Sequence, residues 1–467
     1  MRRFDGRHHV VKLGWELLGA LLVAALASVY FIAVPRAVIV NWSTVHQTID
    51  GFGAATGDDA DTISPSLMDF FYGASGGGIS LGLIRVKIYP DLAACVADNS
   101  SASQCVTAPE ATLTVGALAN VQAAAARSAS VWAAAWTPPA GMKSSGSYTG
   151  GAMIGTANNY TRLASIMASY VTLLTGTYNI PIYAVSVQNE PDLSIKTYES
   201  ATWTAHQIHD FVPYLRTALT SAGYEATKIM IPEQSSWRFT IGSATMRDAS
   251  TAAQVGILAA HDYDPQVRMR PPELDNITTQ RIWETEMSRG GDAYDGGIAN
   301  ALAVARRIHG AFNSARVNAW HYWRLSAVPN GYTDNEALTD GKGHVAQRAY
   351  VIGNWSKFVR PGWHEVDVTN SGRLLVTAFR SQAGTDSAIV VVNDHRFPVP
   401  RQSFVVGSVM EGVVTPWITS RSFSLAVQSA APITNGKFSY SIPAESVVTF
   451  VGRSGSAGAD RAKQGPE

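Results

Sequence analysis

The chain has 467 residues, which is too long for one small domain and enough for a barrel-sized domain with a second domain beside it. Hydrophobic residues make up 46% and charged residues only 15%, a composition that excludes a disordered chain and a coiled coil. Lys plus Arg and Asp plus Glu each total 36, so no basic excess is available for phosphate contacts and nucleic acid is not an expected partner.

The chain begins with a basic head that includes Arg2, Arg3 and Arg7, followed by an almost unbroken apolar run over residues 17–34. This pattern is typical of an export signal, so residues 1–37 are predicted to be a signal peptide of a secreted, extracellular or periplasmic protein. The run is also long enough to cross a bilayer, and a retained membrane anchor over residues 17–34 is the alternative. Residues 454–467 show no periodicity and predict a disordered tail.

The two cysteines, Cys95 and Cys105, lie close together in the sequence. In an exported chain they most simply predict a disulfide that closes a surface loop, and two free thiols are the alternative. A zinc site is not expected, because no Cys/His cluster lies beside the pair.

Short apolar runs alternate with amphipathic stretches from residue 49 to about residue 323. The predicted strands cover residues 49–53, 79–87, 130–136, 183–190, 228–233, 256–261, 281–286 and 319–323. The predicted helices cover residues 115–126, 160–174, 201–220 and 299–312. Continuous apolar strands separated by helices indicate a parallel sheet, and eight such units predict an α/β protein with a (β/α)₈ TIM barrel. A doubly wound sheet is the rival, but no Gly-x-Gly-x-x-Gly follows an early strand.

The barrel is assigned to residues 38–356, with the possibility that its first strand region pairs with the second domain. Residues 357–453 contain short β-rich runs at 374–379, 388–392, 403–406, 417–419 and 446–451, separated by Gly, Asn, Asp, Ser and Pro. No long helical pattern intervenes, so this part predicts a small antiparallel β-sandwich attached to the barrel.

Titratable residues end several of the predicted barrel strands, namely Glu190, Glu233, His261 and Glu286. Catalytic groups of barrels lie at this end of the strands, and carboxylates are costly there unless they are paired or functional. Two acids on different strands suit glycoside hydrolysis, in which one protonates the leaving oxygen and the other attacks the anomeric carbon. The alternative is that each acid is an ordinary carboxylate of a surface loop.

Six motifs, in order along the chain, resemble those of glycoside hydrolase family 30. They are QTIDGFG (47–53), AWTPP (135–139), VSVQNEPD (185–192), WETE (283–286), SKFVRPG (356–362) and IPAESVVTF (442–450). The resemblance covers about residues 40 to 451, and the subgroup it looks most like is the bacterial glucuronoxylan endo-1,4-β-xylanases.

The resemblance implies a retaining hydrolase of β-linked polysaccharide, most directly an endo-β-1,4-xylanase on (glucurono)xylan, acting as a monomer without cofactor or metal. It makes Glu190 the general acid/base, with a raised pKa, and Glu286 the nucleophile. Relatives acting on β-1,6-galactan, β-1,6-glucan or glucosylceramide stay open. A non-catalytic carbohydrate-binding protein on the same scaffold is a further alternative.

The resemblance also implies roles for neighbouring residues. Asn189 is expected to bind the sugar 2-hydroxyl, and Arg85 to keep the nucleophile ionised and oriented. Glu284 shares a strand face with Glu286, and we expect a buried partner for it, such as an Arg. Glu233 is expected to lie behind the reacting groups.

Four aromatic or imidazole side chains complete the expected site. Trp136 and Trp323 would stack on sugar faces, with barrel core as the alternative. His261 and Tyr263 would line the pocket by the nucleophile, with a structural histidine as the alternative for His261.

One position departs from the glucuronoxylanase pattern. The Arg that anchors the glucuronate branch in those enzymes aligns with Ser326, and Arg324 is out of register by two residues. This departure weighs against dependence on a glucuronate branch.

Overall fold

The computed structural model describes residues 36–56, 62–90, 115–263, 267, 269–289, 293–327, 335–369 and 372–453. The predicted signal segment up to residue 35, the cysteine pair and the predicted C-terminal tail lie outside these residues. Within the described part of the chain, no helix combines the length and apolarity needed to cross a bilayer.

Strand β1 (Val38–Thr48) precedes the barrel and belongs to a second sheet. Eight parallel strands then close into a barrel in chain order, as predicted. They are β2 (Gly51–Ala55), β3 (Leu83–Ile88), β4 (Ser130–Ala135), β5 (Ile182–Ser186), β6 (Lys228–Gln234), β7 (Val255–Ala260), β8 (Arg281–Glu284) and β9 (Ala319–Arg324).

The described helices are α1 (Pro65–Tyr72), α2 (Val115–Ala125), α3 (Ala157–Thr172), α4 (Ala205–Ser221), α5 (Ser243–Arg247), α6 (Ala249–Ala252), α7 (Ile298–Asn313) and α8 (Gln347–Ser356). The four predicted helices correspond to α2, α3, α4 and α7. Helix α4 begins where the sequence places a capping box, with the Thr204 hydroxyl accepting from the Gln207 amide and the Gln207 side chain accepting from the Thr204 amide.

The barrel interior is filled by side chains. Trp132, Trp283 and His321 are all fully buried, and the two indole rings meet edge to face with centroids 6.1 Å apart. The Trp132 indole N–H donates to His321 Nε2 over 3.1 Å. These rings form a solid floor beneath the C-terminal ends of the strands, where the candidate residues lie.

The second sheet contains β1 together with β10 (His364–Thr369), β11 (Leu375–Arg380), β12 (Asp386–Asn393), β13 (Val399–Val405), β14 (Glu411–Thr419), β15 (Ala426–Val427), β16 (Ala431–Pro432), β17 (Lys437–Ile442) and β18 (Ser446–Arg453). Its hydrogen-bonded order is β15-β14-β18-β12-β11-β10-β1-β13-β17, with β16 paired to β14. The β1–β13 pair is parallel and the other pairs are antiparallel.

The predicted β domain beside the barrel is confirmed, as one continuous, mixed sheet that curls on itself; its division into two sheets is not confirmed. The ring centroids of Phe404 (β13) and Phe438 (β17) lie 5.1 and 5.0 Å from that of Phe450 (β18), although several strands separate β18 from β13 in the sheet. The curl buries an apolar core inside a half-barrel. The β-rich runs correctly indicated a second β domain, but they could not reveal that β1 joins its two halves.

Candidate active site

The two candidate catalytic acids lie just beyond the strands that were predicted to contain them. Strand β5 ends at Ser186 and β8 at Glu284, so the predicted strands over 183–190 and 281–286 are too long. Glu190 has φ +47°, a left-handed conformation that a strand cannot continue through. Its amide donates to the Glu233 carbonyl over 3.0 Å, which fixes this turn against the neighbouring strand. Such strained conformations occur often at functional sites.

Arg85 on β3 is the hub of the site and is almost fully buried. Its guanidinium contacts the Glu286 carboxylate, donates to Asn189 Oδ1 over 2.5 Å and forms an ion pair with Glu233 Oε1 at 2.7 Å. Because a guanidinium can only donate, the Asn189 oxygen must face it and the Asn189 NH₂ group is left to donate elsewhere. The structure thus brings together the Arg85, Asn189 and Glu286 that the sequence singled out.

His261 lies between the acids and is fully buried. Its Nδ1 is 3.3 Å from Glu190 Oε1 and 3.8 Å from Glu286 Oε1, and its Nε2 is 3.6 Å from Glu233 Oε1. Burial alone would lower the pKa of His261, but the surrounding carboxylates raise it to about 10. His261 is therefore an imidazolium at neutral pH and a member of the charged cluster rather than an isolated structural histidine.

The two acids have different surroundings. Glu286 Oε1 accepts from the Tyr263 hydroxyl over 2.8 Å, and burial raises the pKa of Glu286 against the opposing charges of His261 and Arg85. Burial also acts to raise the pKa of Glu190, but the hydrogen bonds from His261 and Tyr198 and the His261 charge lower it overall. The expected raised pKa of Glu190 is thus wrong for the free protein, because an imidazolium faces it.

The two tryptophans differ in exposure. Trp136 is 4% exposed, and the Arg85 guanidinium carbon lies 4.3 Å from its ring centroid. Trp323 is half-buried, with its ring centroid 5.9 Å from that of Trp136. Trp136 therefore holds Arg85 in place by a cation–π contact, and Trp323 is the more open of the two aromatic faces.

Glu284 has backbone partners rather than the expected Arg. Its two carboxylate oxygens accept from the Glu286 amide over 3.0 Å and from the His321 amide over 2.9 Å. Strands β8 and β9 pair directly only through Trp283 and Ala319. The Glu284 carboxylate therefore supplies acceptors where the backbone hydrogen bonds between these two strands are interrupted. Burial raises the pKa of Glu284 well above its usual value. The Glu284 side chain therefore supports the backbone at Glu286.

Sequence reasoning missed Tyr198 and the pair formed by Lys87 and Glu199. The Tyr198 hydroxyl donates to Glu190 Oε2 over 2.8 Å, and Lys87 at the end of β3 forms an ion pair with Glu199. Tyr198 and Glu199 come from a polar loop with no periodicity, and no local signal in the sequence marks them.

Among the described residues, Glu190, His261 and Glu286 have ligating atoms within 4.8 Å of one another, a spacing that could hold a metal ion. Two positive groups already occupy this space, the Arg85 guanidinium and the His261 imidazolium. The arrangement is therefore better suited to opposing carboxylates than to binding a cation.

The positions that bear on a glucuronate branch lie after β9. Ser326 Oγ is 2.9 Å from Thr339 Oγ1. Arg324 is buried, and its guanidinium forms an ion pair with Glu336 Oε2 at 2.5 Å. Arg324 is thus engaged within the protein.

Two close carboxylates lie at the strand ends of a parallel barrel, one of them contacts an arginine, and an imidazolium lies between them. This arrangement is that of a glycoside hydrolase. No family model matches the chain. Glucuronoxylanase XynC of Bacillus subtilis (strain 168) is 26% identical over 342 residues, covering 71% of this chain and 76% of that protein.

Two solved structures extend the similarity. The glycoside hydrolase family 30 subfamily 8 xylanase Xyn30A from Clostridium acetobutylicum matches with a TM-score of 0.76 and 29% identity, over 90% of this chain and 100% of that one. A GH30 endoxylanase from Clostridium papyrosolvens C71 matches over the same shares with a TM-score of 0.74 and 26% identity. The resemblance to glycoside hydrolase family 30 that the sequence motifs indicated is confirmed by these similarities.

Proposed function

We propose that this protein is a retaining glycoside hydrolase that cleaves β-1,4-xylan within the chain, with Glu190 as general acid/base and Glu286 as nucleophile. The observation that carries the proposal is the spacing of the two carboxyl groups, which have oxygens within 4.8 Å of one another. Retaining enzymes hold their carboxyl groups about 5–5.5 Å apart, whereas inverting enzymes need about 6.5–9.5 Å to admit a water molecule.

In the first step Glu286 attacks the anomeric carbon while Glu190 gives its proton to the departing glycosidic oxygen. Arg85 and Tyr263 both contact the Glu286 carboxylate and hold it for attack. In the second step Glu190, now a carboxylate, takes a proton from the water that attacks the glycosyl-enzyme bond.

The charges of the cluster suit this exchange. Three carboxyl groups, of Glu190, Glu233 and Glu286, surround the cationic Arg85 and His261, so one proton is needed to balance the cluster. In the free protein the lowered pKa of Glu190 and the raised pKa of Glu286 favour this proton on Glu286, and the reactive form has it on Glu190. Once Glu286 is esterified its negative charge is gone, and the two cations then favour the ionised Glu190 that the second step requires.

Exchange of each acid for its amide tests the roles. We expect Glu286→Gln to lower turnover on xylan on the order of 10⁴-fold or more, because no covalent intermediate can form. We expect Glu190→Gln to lower it by about 10²–10⁴-fold, with partial recovery of the first step on aryl xylosides whose leaving group needs no proton. Glu225→Gln, at an exposed loop on the opposite end of the barrel, is the matched control. Near-wild-type turnover in either active-site variant would refute the assignment.

The choice of xylan is supported by the three similar proteins described above, a glucuronoxylanase and two xylanases. The independence from a glucuronate branch is supported by residues of this chain. Ser326 stands at the glucuronate position, Arg324 is paired with Glu336, and residues 325–334 contain no Lys or Arg. We expect equal cleavage of glucuronoxylan and unsubstituted xylan, with a ladder of oligosaccharides in chromatography. Activity confined to β-1,6-galactan or β-1,6-glucan would overturn the xylan proposal, and tight binding without hydrolysis would indicate a carbohydrate-binding protein.

We further propose that the protein is exported as a monomer with a Cys95–Cys105 disulfide. The basic head and apolar run of residues 1–37 support export. Intact-mass measurement of the recovered protein, with and without reductant, tests both the cleavage and the disulfide.

A further inference from the structure

The loop between β5 and α4, residues 187–204, contains Glu190, crosses the C-terminal end of the barrel and contacts strand β3. Tyr198 donates to Glu190, and the next residue, Glu199, forms an ion pair with Lys87 of β3. The loop therefore passes over the end of β4, which lies between β3 and β5 in the barrel. Tyr198 is the residue of this loop that reaches the acid/base.

The loop is tied down from beneath by a buried lysine. Lys143 is 3% exposed, and its ammonium group donates to the carbonyls of Tyr148 and Ser200 over 2.7 and 2.6 Å. The Ser200 amide also donates to the Tyr148 carbonyl over 3.1 Å. The backbone on the C-terminal side of Tyr198 is thus fixed, and the tyrosine hydroxyl is held at a defined place rather than carried by an untethered loop.

The two oxygens of Glu190 face different neighbours. Oε1 faces His261, which is fully buried, and Oε2 accepts from Tyr198, which is 37% exposed. Oε2 is therefore the outer oxygen, on the side from which a substrate enters. Any leaving group that takes a proton from Glu190 arrives beside the tyrosine.

We propose that Tyr198 is a positioning residue for the general acid/base: its hydroxyl fixes the orientation of Glu190 and stabilises the carboxylate that proton transfer creates. The inference rests on the proposed function. In the first step the Glu190 proton moves to the glycosidic oxygen as that C–O bond breaks and the Glu286–carbon bond forms. Tyr198 keeps its own proton and donates it as a hydrogen bond to the new carboxylate. In the second step Glu190 takes a proton from water, and Tyr198 is unchanged.

The protonation state of Tyr198 agrees with this role. The pKa of Tyr198 is raised well above its ordinary value, mainly by burial and next by the charge of Glu190. The hydroxyl therefore stays a donor throughout the working range of the enzyme, and it can only favour the ionised form of its partner.

The test is Tyr198→Phe in the full-length protein, with Tyr214→Phe on the outer helix α4 as the matched control. The pKa of Glu190 is measured by carboxyl carbon NMR titration, with the signal assigned by its loss in Glu190→Gln. We expect the pKa of Glu190 to rise by about one unit in Tyr198→Phe, because the carboxylate loses a charge-assisted hydrogen bond, and to stay unchanged in Tyr214→Phe.

The same shift must appear in the kinetics. The alkaline limb of kcat/KM against pH on xylo-oligosaccharides, which reports the protonated Glu190, should move up by the same amount. If neither the pKa of Glu190 nor the alkaline limb of kcat/KM shifts in Tyr198→Phe, the inference is overturned, even if the variant is less stable. The NMR titration needs no substrate, so an inactive wild type with a shifted Glu190 would refute the xylanase proposal and leave the Tyr198 pairing standing.

Discussion

Both ends of the barrel hold a cluster of charged groups, but only the C-terminal cluster is buried, and the two balance their charges differently. At the N-terminal end one carboxylate, Asp50, accepts from the Trp283 indole over 2.8 Å, lies 3.6 Å from Arg281 and feels the charge of Lys228. At the C-terminal end three carboxylates surround Arg85 and His261. The first end has more cations than anions around its acid, and the second is short of positive charge. The excess of carboxyl groups at the C-terminal end provides a proton that can move, and the N-terminal end has no such excess.

Removing the hub of the C-terminal end should have the largest effect. In Arg85→Met, Glu233 and Glu286 lose their ion-pair partner, and breaking a buried pair costs about 3–5 kcal/mol of unfolding free energy. Without the Arg85 charge, the pKa of Glu286, which burial already raises, rises further above that of the unfolded chain, so the deficit grows as pH rises. Urea unfolding should show a larger loss at pH 8 than at pH 5, with no measurable xylan hydrolysis. An equal loss at both pH values would contradict this charge balance.

His261→Gln should have a smaller effect with the opposite pH dependence. The folded pKa of His261 is about 10, above the usual value of 6.5. Its stabilising contribution is therefore fully present below about pH 6.5 and is lost as pH rises towards 10. The urea midpoint of His261→Gln should fall furthest below wild type in acid and approach it near pH 10. His206→Gln, an exposed position on α4, should show no such trend.

Asp50→Ala should have the smallest effect and should leave catalysis intact. The substitution leaves the buried Trp283 indole without its acceptor, at a cost of about 1–3 kcal/mol. Because Asp50 lies beyond the Trp132–Trp283 floor, kcat and its pH profile should match wild type. A change in the pH profile would show that the two ends of the barrel are electrostatically coupled.

Sequence patterns predicted the barrel because each βα unit buries a continuous apolar strand, and that signal is local. Glu190 and Glu286 could be found because they follow such strands within specific motifs. The backbone conformation at these residues could not be predicted, because the left-handed turn at Glu190 depends on a hydrogen bond to the Glu233 carbonyl of the next strand.

The misses depend on backbone conformation and strand pairing that the local sequence pattern does not encode. Glu284 binds two backbone amides because β8 and β9 barely pair, a fact of register that its own segment does not encode. Tyr198 and Glu199 sit in a polar loop whose sequence resembles any other surface loop. Lys87, the partner of Glu199, is brought to it by the closed barrel, whereas Tyr198 meets Glu190 through the conformation of the loop that contains both.

The position of β1 has a consequence for how the molecule is made. This strand lies between β10 and β13 in the second sheet, and its His46 meets Asp367 from 321 residues away. During synthesis β1 leaves the ribosome long before its partners exist, so it must wait with both edges unpaired while the barrel folds. The half-barrel therefore cannot close until the C-terminal strands have been made, and expression of residues 357–453 alone would yield a sheet broken between β10 and β13. Contacts this distant along the chain predict slow completion of folding.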